Sequence, residues 1–180
     1  MDPIEQALHR TLIARCQVGD RQAFEALFLR HNPRLGYYLR RMLSRDDIED
    51  VQQEVWLTVI RRIGRLRSPD AFVVWLYQIA RSKALNRLAD RRAVLSLDAE
   101  YTPEEAADEH EFEFSPSDAA RIHEGLARLN VAHREVLVLR FMENLSYEQI
   151  AEVVRCNTGT VRSRLHYAKR ALRRELGKTP

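Results

Sequence analysis

The chain has 180 residues, 45% hydrophobic and 31% charged, enough apolar material for one ordinary domain or two small ones and too much for a disordered chain. Its two cysteines, Cys16 and Cys156, lie far apart and outside any C-x-x-C pair, which argues against a disulfide framework and a cysteine zinc site. The formal net charge is +3, "MDPIEQALHR" carries no apolar signal-peptide core, and no apolar run approaches a membrane span; the expectation is a soluble protein of the reducing cytoplasm with no membrane contact of its own.

Four helices are predicted in the first half. The first covers about 4–17 and ends near Gly19. The second covers about 21–43, with Asp20 as N-cap and a bend or break at Pro33. A third runs over about 46–62, with acids in its first turn where the helix dipole favours them, and ends near Gly64. The fourth runs over about 69–92, with Ser68 as N-cap and Pro69 at the first helical position. Its apolar stripe is Phe72, Trp75, Leu76, Ile79 and Leu88, while Arg81, Asn86, Arg87 and Arg91 fall largely elsewhere. Phe72 and Trp75 are expected in the core rather than as stacking platforms, because both lie on that stripe.

The stretch "VLSLDAEYTPEEAADEHEFEFSPSD" (94–118) breaks the helical pattern with two prolines and dense acids, so it reads as a linker. Helices then follow at 118–129 and 132–142. Ser146 caps "YEQIAEVV", a short turn follows, and Asn157 or Thr158 caps a last helix to about Leu176. No segment shows the strand period and no internal repeat occurs. The expected class is all-α: two small helical domains, 1–93 and 118–180, joined by a flexible acidic linker over 94–117.

Charge follows the same divisions. Residues 1–93 hold 17 Lys and Arg against 11 acids, residues 94–117 hold eight acids and no Lys or Arg, and residues 118–180 hold 12 against seven. Two basic bodies joined by an acidic strap point to a polyanion partner, although two ordinary solvated domains would also carry charges of this size.

The last two helices form a helix-turn-helix pattern, with small Ala151 where two helices must cross closely. At 100° per residue, Val161, Leu165, Ala168 and Leu172 share one inward face of the last helix. Ser163, His166 and Arg170 lie nearly opposite, flanked by Arg162 and Tyr167, with Arg164, Lys169, Arg173 and Arg174 to the sides and end. Such a front suits a major groove: Arg forks to guanine, Ser and His reach base edges, and side cations take phosphates. The small opening Thr158-Gly159-Thr160 lets free backbone N–H groups approach a phosphate.

With those residues assembled, the chain resembles a bacterial extracytoplasmic-function (ECF) sigma factor of the sigma-70 superfamily, over nearly its whole length. "LARLNVAHREVLVLRFMENLSYEQIAEVVRCNTGTVRSRLHYAKRAL" resembles sigma region 4. "GDRQAFEALFLRHNPRLGYYLRRML" through "AFVVWLYQIARSKALNRLADRR" resembles region 2. The resemblance implies a dissociable subunit of RNA polymerase, not an enzyme, with no cofactor and no metal. Its partners would be core RNA polymerase, double-stranded promoter DNA, single-stranded −10 DNA and, as for many relatives, an anti-sigma factor.

Residue by residue, the resemblance places Asp50, Gln53 and Glu54 of "DDIEDVQQEVW" at the core-polymerase contact, and their spacing puts them on one exposed helix face. It assigns capture of the −10 element to the loop residues Arg65, Arg67 and Ser68 and to Arg81, Lys83, Asn86 and Arg87 of the following helix. It assigns −35 recognition to Thr160, Arg162, Ser163, Arg164, His166, Tyr167 and Arg170. It also implies that the acidic linker threads the polymerase's basic RNA path, where the residues by themselves also allow a soluble tether.

Three positions depart from the family pattern. Arg155 stands in the turn where relatives commonly have Gly, and a positive φ there costs a non-Gly residue about 1 kcal/mol or more, so a different turn is expected. Cys156 replaces an aliphatic residue and is expected to pack as a small hydrophobe. Tyr167 stands where a cation is frequent.

The alternative reading is a stand-alone helix-turn-helix regulator with an N-terminal helical ligand-binding or dimerisation domain, which would need neither the acidic helix nor the basic −10 helix. An enzyme would need a Ser/His/Asp or metal-spaced cluster, and the six histidines are scattered along the chain.

Overall fold

The computed structural model describes residues 3–94 and 119–177. The chain divides into two compact units, Met1–Val94 and Leu95–Pro180. Among the described residues every regular element is helical. The proposed linker, 94–117, lies outside the described residues apart from Val94.

In the first unit, α1 (Pro3–Gln17) packs on α2 (Arg21–Met42). Their junction is made by Gly19, whose φ of +87° lies in the left-handed region that only glycine enters without strain. Asp20 follows as N-cap and accepts from the Ala23 N–H, while Arg15 reaches its carboxylate at 2.7 Å. Of the bend or break expected at Pro33, the break does not occur, because α2 runs through it. Pro33 is exposed, so water can take the Leu29 carbonyl that loses its helical donor.

A 3-10 turn at Arg45–Asp47 precedes α3 (Ile48–Arg62), so the α-helix begins two residues later than the acids alone suggested. Asp47 is buried and accepts from the Ser44 hydroxyl at 2.7 Å. A further 3-10 turn at Pro69–Ala71 precedes α4 (Phe72–Val94). Ser68 stands at the head of that turn, but its hydroxyl caps nothing; its carbonyl accepts the Ala71 N–H at 3.1 Å.

The buried stripe of α4 also differs from the expected one. Phe72, Leu76, Tyr77, Ala80 and Ala84 are buried, whereas Trp75, Ile79 and Leu88 are half-buried. The two alanines let α4 lie close against α2 and α3, a face that a count of large apolar residues underweights. Tyr38 and Tyr77 meet edge-on at 5.0 Å within the core, among Leu27, Leu35, Leu39, Val55 and Val59.

In the second unit, α5 (Ala119–Arg128), α6 (Val131–Phe141) and α7 (Tyr147–Val154) all pack against α8 (Thr158–Gly177). Asn130 caps α6 by accepting from the His133 N–H at 2.8 Å. A full capping box holds the start of α7: the Ser146 hydroxyl accepts from the Gln149 N–H, and the Gln149 side chain accepts from the Ser146 N–H. Asn157, not Thr158, caps α8, its side-chain oxygen taking the Thr160 N–H at 2.7 Å.

Arg155 keeps a left-handed turn in spite of its side chain, with φ 55° and ψ 51°. The tertiary fit of α7 against α8 therefore overrides the local preference, and the different turn expected from the residue type does not form. Its own N–H and that of Cys156 both reach the Ala151 carbonyl. Cys156 is half-buried beside it. Because Arg155 is exposed, Arg155→Gly removes backbone strain without removing packing and should stabilise this unit by about 0.5–1 kcal/mol. Urea unfolding followed by far-UV circular dichroism tests this, and a lowered midpoint would show that the turn carries no strain.

Candidate nucleic-acid and partner interfaces

Val161, Leu165, Ala168 and Leu172 are all buried, as their shared face requires, and they turn the remainder of α8 outward. Gly125 of α5 allows that close fit, since a Cβ there would come within 2.8 Å of the Leu172 side chain. On the outward side Arg162 and Arg170 are exposed, and Thr160, Ser163, Arg164, His166 and Tyr167 are half-buried. The Ser163 hydroxyl donates to the Thr160 carbonyl at 3.0 Å, which leaves its oxygen as an acceptor. His166 and Tyr167 meet edge-on at 5.4 Å, and the Tyr167 hydroxyl is out of solvent, so the outward contribution of that residue is its ring.

Residues of α6 and α7 that the sequence reading passed over join this front. The Tyr147 ring lies under the guanidiniums of Arg140, at 5.4 Å, and Arg162, at 5.8 Å. The backbone N–H of Glu148 and the Ser146 hydroxyl hold the Glu148 carboxyl below the usual carboxylate range, with Arg162 adding to the effect. Lys169 stands over the Phe141 ring at 5.6 Å. These pairings link different helices across the sequence, so no periodicity within one helix announces them.

In the first unit the acidic set does not form one exposed face. Asp50 and Gln53 are exposed, but Glu54 turns toward α4, where Lys83 Nζ lies 3.0 Å from one carboxylate oxygen and Arg87 lies 3.2 Å from the other. The Lys83 and Arg87 hydrogen bonds hold the Glu54 carboxyl below its ordinary range. Arg87 also reaches Asp47 at 3.4 Å and Asp50 at 4.0 Å. Two of the predicted −10 residues thus share one ion-pair network with two of the predicted polymerase residues. Arg81 is half-buried and Asn86 exposed on the same helix. Arg65, Arg67 and Ser68 are exposed on the loop before α4, which Gln17 of α1 ties down through the Ile63 and Leu66 carbonyls at 3.2 and 2.7 Å.

Gln53 faces a groove of about 440 Å³ between α2 and α3, lined also by Phe28, Asn32, Trp56, Leu57 and Ile60. Asn32 ties the two helices together, its side-chain oxygen accepting from Trp56 Nε1 at 2.9 Å and from Gln52. Gly36 on α2 gives Gln52 room, since a Cβ there would approach its amide to 3.2 Å. Leu57 and Ile60 are half exposed, at 50% and 52%. The groove sets apolar Phe28, Trp56, Leu57 and Ile60 beside polar Glu49 and Gln53.

The scattered histidines do not all stay apart. His9 of α1 and His31 of α2 are both buried with ring centroids 5.1 Å apart, and Phe72 stands 5.8 and 5.2 Å from them. Burial lowers both imidazoles, with Arg30 adding to each, and takes His31 down to about 3. Among the described residues no third metal-ligating group joins them. No described helix is long and apolar enough to cross a membrane.

Comparison with known proteins follows the same two units. The family described as Sigma-70 region 2 matches residues 27–94, and Sigma-70, region 4 matches residues 119–172. The RNA polymerase sigma-H factor of Pseudomonas aeruginosa is 34% identical, over 96% of each chain. The ECF RNA polymerase sigma-E factor of Haemophilus influenzae is 36% identical, over 96% of this chain and 97% of its own. Among solved structures, CnrH in complex with the cytosolic domain of CnrY shares the fold at a TM-score of 0.67 and 24% identity, covering 95% of this chain and 98% of that one. The sigma factor RpoE of Bartonella quintana, in complex with the anti-sigma factor NepR, does so at 0.69 and 22%, covering 87% and 98%. Taken with the helix-turn-helix unit and the four-helix unit before it, these matches over nearly the full chain place the protein in the ECF sigma factors of the sigma-70 family.

Proposed function

We propose that this ECF sigma factor is a dissociable specificity subunit that binds core RNA polymerase, reads the −35 and −10 promoter elements and directs initiation, performing no covalent chemistry itself. The observation that carries this reading is the second unit: a box-capped α7, a tight turn and a cation-fronted α8 seated on a buried stripe. In this reading residues 118–180 bind the −35 duplex through Thr160, Arg162, Ser163, Arg164, His166, Tyr167 and Arg170. Residues 1–93 dock on polymerase through Asp50, Gln53 and Glu54 and capture single-stranded −10 DNA with Arg65, Arg67, Ser68, Arg81, Lys83, Asn86 and Arg87. Residues 94–117 join the two as an acidic linker. A partner that occludes these faces, of the anti-sigma class seen with the Bartonella relative, fits the same scheme. The site of action would be the cytoplasm, where polymerase works.

Transcription in vitro with purified core polymerase tests the assignment: promoter-dependent transcripts appear only when the chain is added. A stand-alone regulator would bind DNA yet leave core polymerase without promoter choice.

Docking has its own test. Asp50→Ala combined with Gln53→Ala removes two exposed side chains, of which only Asp50 has a partner among the described residues, the long 4.0 Å contact with Arg87. The double variant should weaken binding to core polymerase while moving stability by about 0.5–1 kcal/mol. Equal affinity in competition with the wild-type chain would move the contact elsewhere. Glu54→Ala is a poorer probe, because it also removes the carboxylate that pairs with Lys83 and one of the three that Arg87 reaches.

A further inference from the structure

Arg162 is exposed and long, and a free guanidinium of this kind samples many rotamers before it meets DNA. Its surroundings on α7 restrict it. Tyr147 opens that helix directly after the Ser146 cap, and the capping box fixes the turn that carries the ring. The Arg162 guanidinium carbon stands 5.8 Å from the ring centroid, within the distance at which a cation is attracted by an aromatic face. A second guanidinium, that of Arg140, stands 5.4 Å from the same centroid and is itself tied to the Leu145 carbonyl at 2.9 Å. Beside the ring, Glu148 is held by the Ser146 hydroxyl at 2.8 Å and offsets the positive charge gathered there. The half-buried Tyr147 is therefore a fixed platform between α6 and α8, with its ring turned to the arginine in the second turn of the recognition helix.

We propose that Tyr147 is a positioning residue for promoter recognition: its ring holds Arg162 in the orientation from which the guanidinium enters the groove, so −35 discrimination depends on a side chain of the preceding helix. The inference rests on Arg162 reading a base, as stated under Proposed function. A guanidinium already held near its bound direction loses less freedom on docking, and that saving falls on the contact that distinguishes bases. The phenol hydroxyl has no part in this, because the attraction belongs to the ring face.

The test uses holoenzyme assembled with the full chain and compares its affinity for a promoter with the affinity for the same promoter carrying substituted −35 bases. Tyr147→Leu should lower this ratio about two- to five-fold, the range expected from losing one exposed cation–π contact. Tyr147→Phe should keep it. Arg162→Ala should lower the ratio further, and adding Tyr147→Leu to Arg162→Ala should change nothing more, since the tyrosine acts through that arginine. Four results overturn the proposal. An equal loss in Tyr147→Phe would mean that the hydroxyl touches DNA directly. An additive double variant would mean that the two residues act separately. A Tyr147→Leu chain that keeps the wild-type ratio, with or without an equal loss of affinity for both promoters, would reduce the ring to ordinary packing. If Arg162→Ala itself leaves the ratio unchanged, the base-reading role fails first and this inference falls with it. Should Tyr147→Leu not fold, Tyr147→Gln provides the same comparison at this half-buried helix start.

Discussion

Lowering the pH from 7 to 5 should destabilise the unit of residues 3–94 by about 2 kcal/mol, and His31→Leu should remove most of that dependence. His31 is buried against His9 and Phe72, faces Arg30 and Arg34, and is held neutral, with its pKa lowered to about 3. In the unfolded chain it titrates near 6.5. The unfolded state therefore binds the proton first, and folded stability is full above pH 6.5 and lost progressively as the pH falls toward 3. The slope is about 1.4 kcal/mol per unit for one such group. His9 acts in the same direction, although Asp70 and Glu5 offset part of its shift. The window from 7 to 5 keeps the imidazoles apart from carboxylates such as Asp20, Asp70 and Glu54, whose lowered values place their contribution in stronger acid. Trp56 and Trp75 are the chain's two tryptophans, and both lie in this unit, so tryptophan fluorescence reads its melting without interference from the other. The expected shift in midpoint is roughly 10 °C. A midpoint that does not move between pH 7 and 5 would mean that the imidazoles reach water or a partner.

Arg162→Ala should cost about 1–3 kcal/mol of −35 binding on the preferred promoter and much less on one with a scrambled −35 element. The side chain is exposed on the flank of a helix whose inward face is buried without it, so its loss leaves the fold intact. A guanidinium that forks to guanine carries sequence information, and its removal flattens preference as well as affinity. Arg173→Ala, near the far end of the same helix, should weaken all sequences alike and reduce the salt dependence by about one phosphate contact. Holoenzyme binding at two salt concentrations separates the two effects. Equal losses for Arg162→Ala on both promoters would make Arg162 a phosphate ligand.

The helical class, the caps at Asp20 and Ser146, a cap at Asn157 or Thr158 and the inward face of α8 could be read from the chain because each depends on neighbours within one turn. The family could be read for a related reason, since its motifs are local stretches in a set order. Contacts between helices follow other rules. The helix does not break at Pro33, where a bend or break was expected, because α2 is held by its packing on α1 and α3, while the proline itself is exposed to water. The core face of α4 runs through Ala80 and Ala84 because close approach rewards small side chains, which a search for large apolar ones passes over. Arg155 adopts a left-handed conformation because the helices on either side of it fix the turn. Glu54 leaves the face shared with Gln53 because Lys83 and Arg87, about thirty positions away, draw its carboxylate to α4. The meeting of His9 with His31 and of Tyr147 with Arg162 arises in the same way, from helices packed side by side. Amino-acid order alone determined what each helix is and which family it serves, because propensity, capping and periodicity act over a few residues. Tertiary structure alone decided which charges are neutralised, which imidazoles are buried and which arginine is held, because those energies depend on distances between elements far apart in the chain.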